Sequence, residues 1–298
     1  MNYLISNVDP KELDPKKIKV IQIDAGKMIE FQKNMSKAIW KPAPGRKLAF
    51  IVVHDQLLLG LIFLASPVIN MTDRDRALNM PANLSEKGKA LRNVADVSVC
   101  VSSQPFGWRW NGGKLMAMIA TTLGDFWCDR YKDELKHLVT TSLYGKGSQY
   151  NRVYKFVGMT KGHGHEHISD EKYKAMLKWM KDNNIEIPSS KFGAGANPKM
   201  RRIAAYRKAS GDKTITLVHN KKRGIYIHEA VSPDKRQEII QSWFDRWGYP
   251  RYLKKKDENP PYINGLSSSE KVVEIEKTYI NVPVKLNTED LTRFFENA

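Results

Sequence analysis

The chain has 298 residues, with 49 Lys and Arg against 32 Asp and Glu, giving a formal charge of +17 at neutral pH and a pI near 9.7. A hydrophobic content of 41% is enough for a core in one large or two modest domains, while 27% charged residues and a mean hydropathy of −0.50 indicate a soluble protein. So large a cationic excess must sit mainly on the surface, where it attracts polyanions. Nucleic acid is the leading partner, an anionic membrane is disfavoured for want of a basic amphipathic anchor, and a solubilising surface is the plain alternative. Cys100 and Cys128 make no disulfide framework, which points to a reducing cytoplasm.

The first 35 residues carry Asp9-Pro10 and Asp14-Pro15 and lack the charged-then-apolar order of a secretion signal. IKVIQID (Ile18–Asp24) predicts a strand and GKMIEFQKNMSKAIW (Gly26–Trp40) a helix. After the bend KPAPGR (Lys41–Arg46), KLAFIVVHD (Lys47–Asp55) and LLGLIFLASP (Leu58–Pro67) predict a hairpin; His54, Asp55, Gln56 and Gly60 interrupt the apolar run and argue against a membrane span. In INMTDRDRALNM (Ile69–Met80), Asp73, Arg74, Asp75 and Arg76 crowd too densely for a core. They read as a solvated loop, as a salt-bridged helix start, or as Arg74 or Asp75 facing a substrate. LSEKGKALRNV (Leu84–Val94) predicts a short helix.

ADVSVCV (Ala95–Val101) is rich in β-branched residues and reads as a buried strand. The loop SSQPFGWRWNGG (Ser102–Gly113) leads to KLMAMIATTLGDFWCDRY (Lys114–Tyr131), spaced as one helix; HLVTTS (His137–Ser142) predicts a strand and SQYNRVYKFVG (Ser148–Gly158) a short helix. Where a strand enters a helix, the first amide groups lack partners and the helix dipole favours an anion. Gly107, Gly112 and Gly113 would let the backbone approach a phosphate or pyrophosphate, with Lys114 adding charge, although a tight turn explains the same glycines.

MTKGHGHEHISD (Met159–Asp170) offers His163, His165 and His167 as three nitrogens for a metal. With no HxxxH or CxxC partner, polar loop histidines touching phosphate are the simpler reading, and no metal is expected. EKYKAMLKWMKDNN (Glu171–Asn184) is an amphipathic helix with Tyr173, Met176, Leu177 and Met180 on one stripe. A helix beginning after Pro198 would carry Arg201, Arg202, Arg207 and Lys208 on one cationic face. TITLVHN (Thr214–Asn220) and IYIHEAV (Ile225–Val231) predict a hairpin tipped by Lys221, Lys222 and Arg223. Ser232 and Pro233 start another helix. Beyond it, Trp243, Phe244, Trp247, Tyr249 and Tyr252 interleave with Arg246, Arg251, Lys254, Lys255 and Lys256. That mixture suits base stacking with phosphate contact, or an aromatic core with a solvated basic tail. A strand-like VVEIEKTYINVPVKL (Val272–Leu286) and a helix LNTEDLTRFFENA (Leu286–Ala298) close the chain.

The order hairpin, strand, glycine loop, helix, strand, helix resembles the acyl-CoA-dependent N-acetyltransferase (GNAT) fold. PFGWRWNGGKLM (Pro105–Met116) sits where that superfamily's pyrophosphate loop meets its helix, though the loop is longer and lacks the compact Q/RxxGxG/A spacing. SQYNRVYKFVGM (Ser148–Met159) resembles the later segment in which an Asn and a Tyr precede a short turn. The resemblance implies an acyl-CoA-type donor held by Gly107, Asn111, Gly112, Gly113, Lys114 and Asn151, with Tyr154 protonating the departing thiolate. More closely, GLIFLASP, DRDRAL, PFGWRWNGGKLMAM and TTSLYGKGSQYNRVYKFVGMTKGHG look like the DruA family over about residues 46–180. Such domains occur in Druantia antiphage systems, phages and mobile elements and are similar to phage Mom DNA-modification proteins.

These likenesses imply an α/β (α+β) fold: a GNAT-like mixed central sheet flanked by helices in residues 1–180. Residues 181–298 would form a basic C-terminal region packed on that core and contacting nucleic acid, in the cytoplasm of a bacterial host. One implied function is a phage-type transferase that adds an acyl-type group to a base amine in DNA, against restriction. Ser142, Tyr144, Tyr150, Asn151 and Tyr154 would line its centre, with Asp75 or His54 deprotonating a flipped base. The second is a non-catalytic DNA-binding protein of phage or antiphage defence that retains the fold. A third is a protein that meets an acidic face of a partner protein.

Overall fold

The computed structural model describes residues 2–6, 10–35, 45–162, 164, 168–191, 197–218, 221–260, 271–275 and 280–281. Ten strands among these share one sheet: β1 (Asn2–Ser6), β2 (Ile18–Ile23), β3 (Lys47–His54), β4 (Leu57–Ala65), β5 (Val94–Ser102), β6 (His137–Ser142), β7 (Lys155–Met159), β8 (Gly224–Glu229), β9 (Lys271–Ile275) and β10 (Ile280–Asn281). The helices are α1 (Met28–Met35), α2 (Thr72–Ala77), α3 (Leu84–Ala90), α4 (Phe106–Trp110), α5 (Gly112–Ala120), α6 (Gly124–Tyr131), α7 (Asp170–Asp182), α8 (Pro198–Ser210), α9 (Arg236–Trp243) and α10 (Tyr249–Lys255). The sheet runs β10-β2-β3-β4-β5-β6-β8-β7, with β1 beside β4 and β9 beside β1. It is mixed, since β1–β4 and β5–β6 are parallel and the other pairs antiparallel. The expected mixed sheet flanked by helices is present.

The central hairpin follows from its sequence. β3 and β4 turn at Asp55, which takes a left-handed φ of 50°. A continuous apolar run is what a strand covered on both faces needs. Alternate residues of β3 duly enter two separate cores, with Leu48, Phe50 and Val52 under α5 and α6, and Ala49, Ile51 and Val53 under α1. Farther along the sheet, Val139, Ile225 and Ile227 form a third core with Met71 and Leu78 around α2. No helix among the described residues is long and apolar enough to cross a membrane.

Several expectations change. The single helix over Lys114–Tyr131 is two, α5 and α6. At the break the buried Thr121 and Thr122 hydroxyls donate back to the Met118 and Ile119 carbonyls at 2.7 and 2.8 Å, an arrangement that competes with the helical ladder. Ser148–Gly158 is a set of turns followed by β7, not a helix. Ile225–Val231 does not form a hairpin with Thr214–Asn220; its strand β8 lies between β6 and β7. Beyond residue 180, β8, β9 and β10 belong to the same sheet as the earlier strands, and α9 packs on α5. His163, His165 and His167 and the closing helix at 286–298 lie outside the described residues.

Arg74 is the largest correction to the polarity pattern. Taken as surface charge, it is 0% exposed. Its guanidinium donates to the Val68 and Ile69 carbonyls at 2.6 and 3.0 Å and to Asp75 at 2.8 and 2.5 Å. Buried Lys87 from α3 closes the set on the other Asp75 oxygen at 3.1 Å. A buried guanidinium with its donors matched is tolerated, whereas removing it leaves the Val68 and Ile69 carbonyls and one Asp75 oxygen without their donor. Arg74→Ala should lower the unfolding free energy by about 3 to 5 kcal/mol, read from urea denaturation; a loss under about 1 kcal/mol would show that the cluster carries no structural weight.

Candidate functional site

The proposed anion loop is built differently from expectation. Gly107 lies in α4, its amide donating to the Ser103 carbonyl at 2.7 Å. Asn111, at φ 59° and ψ 40°, ends α4 and starts α5. Its carbonyl accepts from the Lys114 amide at 3.0 Å and from Trp243 Nε1 at 3.3 Å. A Cβ on Gly112 would stand 2.4 Å from the Phe106 ring, and one on Gly113 2.3 Å from Gln149 Oε1. These glycines admit the neighbouring side chains of Phe106 and Gln149. Lys114 is buried, donating to the Gln149 and Asn151 carbonyls at 3.1 and 2.5 Å. Burial, then Arg152 and Arg246, lower its pKa from the ordinary lysine value.

The catalytic candidates do not meet. Tyr154 is 5% exposed and its hydroxyl donates to the Ala117 carbonyl of α5 at 3.2 Å. Burial, with Cys100 and Tyr150 nearby, raises its pKa well above that of free tyrosine, so it holds its proton. Asp75 sits with α2, in the part of the structure where Ile225 and Ile227 of β8 are buried, whereas Tyr154 packs in the core with Tyr226. Those residues alternate along β8, so the two candidates lie on opposite faces of the sheet. Burial would raise the Asp75 carboxyl, but hydrogen bonds from Arg74 and Lys87 outweigh it and hold the acid ionised and paired. Ser142 is buried at the end of β6, its Oγ accepting the Tyr144 amide at 3.1 Å. His54, at the end of β3, accepts the Asp14 amide at 3.1 Å. Tyr144, expected to line the centre, is 80% exposed.

The region between β5 and β6 explains these commitments. The two strands pair only through Val94–Asp96 and His137–Val139. Past that point Gln149 Nε2 donates to the Cys100 carbonyl at 2.7 Å, and the rings of Tyr150, Tyr154 and Tyr226 pack beside it. Asp96, where the pairing stops, accepts from Ser98 at 2.7 Å. Burial pushes its carboxyl up to about 6, against the pull of Ser98, Arg74 and Arg223. At the opposite end of β6, a cleft of about 470 Å³ is lined by Asn79, His137, Lys155, His228 and Glu229. Burial outweighs Glu229 there and lowers the His137 pKa.

The cations divide by what they touch. Arg201 donates to the Ser189 and Lys191 carbonyls, and Arg202 to the Pro188 carbonyl and the Tyr173 hydroxyl, so α8 uses both to hold the preceding segment. Arg207 is exposed. Arg251 donates to the Trp108 carbonyl at 2.6 Å, pinning α10 to α4, and Lys255 pairs with Glu258 at 2.5 Å. Lys254 and Lys256 are exposed. Elsewhere, the β6–β7 loop and the turn before β8 lie side by side. Tyr226 donates to the Gly145 carbonyl at 2.7 Å, and Thr160 and Arg223 exchange hydrogen bonds at 2.8 and 2.9 Å. This brings Lys146, Lys161, Lys221, Lys222 and Arg223 to one end of the sheet. Arg152 and Arg246 extend the band past Lys114, the last with its guanidinium 4.7 Å from the Trp247 ring centroid. One signal in the sequence marks this end: no acidic residue occurs between Glu134 and Glu166, or between Asp212 and Glu229.

Comparison with known proteins agrees with this chain's motifs. A family model described as "Druantia protein DruA" matches residues 4–237. The Druantia protein DruA of Escherichia coli (strain UMEA 4076-1) is 26% identical, with the match covering 73% of this chain and 62% of that protein. The chain thus spans about three fifths of the length of that curated relative.

Two measurements check the site geometry. Tyr154→Phe should cost about 1 kcal/mol in urea unfolding, the value of one buried hydrogen bond; a stability equal to that of the parent would detach the hydroxyl from α5. Because the Asp96 carboxyl titrates higher in the folded protein than in the open chain, it disfavours folding as pH rises from about 4 through about 6. Asp96→Asn should remove that decline and raise stability at neutral pH by about 3 kcal/mol, measured as thermal unfolding across the same range.

Proposed function

Because the chain belongs to the DruA family, we propose that it serves antiphage defence by binding DNA through the cationic end of its sheet. The observation that carries this reading is the convergence of Lys146, Arg152, Lys161, Lys221, Lys222 and Arg223 in two acid-free segments brought together by β6, β7 and β8. A polyanion gains from such a surface by releasing condensed counterions, without any need for base recognition. The position of Arg223 is set by backbone bonds to Thr160, so part of the band is preorganised.

The acyl-transfer reading, with an acyl-CoA-type donor and a base amine as acceptor, rests on the resemblance to GNAT and Mom proteins alone. It needs an open amide turn and a hydroxyl free to give up a proton. Here Gly113 meets Gln149, and the Tyr154 hydroxyl is spent on α5. DNA binding without transfer asks for neither.

The direct test is fluorescence anisotropy with a labelled DNA duplex across a salt series. Affinity should fall steeply with salt. The combined Lys146→Glu, Lys221→Glu, Lys222→Glu variant should bind at least about tenfold more weakly, with a log–log slope shallower by about one for each phosphate that is no longer neutralised. Salt-independent binding, or an unchanged variant, would refute the reading. Nucleosides from cells with and without the protein should have identical mass spectra; a new modified nucleoside would restore the transferase.

A further inference from the structure

The loop after β6 spends its buried contacts on its backbone and leaves its largest side chains outside. Ser142 Oγ accepts the Tyr144 amide at 3.1 Å, and the Gly147 amide donates to the Tyr144 carbonyl at 3.0 Å. Asn151 donates through Nδ2 to the Lys146 carbonyl, and its Oδ1, at 3.0 Å, shares the single Tyr226 hydroxyl hydrogen with the Gly145 carbonyl at 2.7 Å. Behind the loop, a Cβ on Gly224 would stand 2.6 Å from the Gly145 carbonyl oxygen, so the two backbones touch. From this fixed frame Leu143 projects at 65% exposure and Tyr144 at 80%. The loop's own packing leaves both side chains in water, so it gives no account of their apolar character.

Their neighbours say what would cover them. Lys146 lies two residues along the same loop, its ammonium 5.1 Å from the Phe156 ring centroid, and Lys221, Lys222 and Arg223 precede Gly224, whose backbone meets Gly145. An apolar protein patch would meet four cations at its rim. A nucleobase brings its own phosphates for them. In a duplex the base faces are already stacked on one another, so a protruding phenol ring finds a free face only where a base is unpaired.

We propose that Tyr144, with Leu143 beside it, is a stacking site for an unpaired base of a single-stranded nucleic acid whose phosphates lie on Lys146, Lys221 and Lys222. This rests on the nucleic-acid reading above and narrows its ligand to strands that are single or locally opened. The ring acts through its face, not its hydroxyl.

The test is anisotropy with a labelled oligothymidylate, a labelled oligouridylate and a duplex of equal length. The full chain should prefer single strands. Tyr144→Ala should weaken single-strand binding by about five- to a hundredfold, the range for loss of one base–aromatic stack. Duplex affinity, salt slope and melting temperature should stay unchanged, and Tyr144→Phe should bind like the parent. Loss with the thymidylate alone assigns the site to DNA, and loss with the uridylate alone to RNA; either supports stacking. If Tyr144→Ala binds single strands normally while the triple lysine variant is weakened, stacking is overturned and the cationic band stands. If neither variant weakens binding, both readings fall.

Discussion

The gap where β5 and β6 stop pairing is the constraint on which the rest of the site region depends. Two parallel strands that part after three residue pairs leave unsatisfied backbone and apolar area between them, and something must fill it. The filling is the segment at 148–154. Gln149 bonds the Cys100 carbonyl and lies against Gly113; the Gln149 and Asn151 carbonyls receive Lys114; Tyr154 reaches α5. One short stretch thus joins β5 and α5. The same stretch, through the Asn151 side chain, fixes the loop that carries Tyr144.

The strongly patterned elements were legible in the sequence, and the reason is burial. Leu48–Ala65 and Ala95–Val101 are covered on both faces, so their composition records strand and little else. Where tertiary contact decides, local pattern misleads. Ser148–Gly158 has a helical distribution of aromatics, yet its rings are placed by β8: Tyr150 and Phe156 meet Tyr226, while Tyr154 meets His228. Glycines at 112 and 113 read equally as an anion cradle or a close-packed turn, because both demand a missing Cβ. Only the position of Gln149 separates them. Arg74 was unreadable for a related reason: nothing in DRDRAL marks which of its charges faces the Val68 and Ile69 carbonyls.

Formal charge overstates the surface available to a polyanion. Arg74, Lys114, Arg201, Arg202 and Arg251 each donate to backbone carbonyls, so they act as structural cross-links that happen to be positive. Arg suits this task, since its planar fork satisfies several carbonyls at once. Lys146, Lys221 and Lys222, in the β6–β7 loop and the segment before β8, are exposed. Counting cations therefore ranks α8 and α10 higher than their hydrogen bonds do.

The extent of the family match sharpens that ranking. It runs from residue 4 to residue 237, so it holds the gap, its filling, Tyr144 and the lysines of both neighbouring segments. Arg246, Arg251 and Lys254–Lys256 lie beyond it. A property that belongs to the family must be carried within the matched part, where one physical arrangement supplies both needs: buried donors that hold a loop still, and a ring with cations left facing water. The aromatic and basic helices that follow can strengthen such a surface through Arg246 and Trp247, but α10 is itself fastened to α4 by Arg251 and by Arg109, which donates to the Lys256 and Glu258 carbonyls. Arg251 thus holds the core first and meets any ligand second.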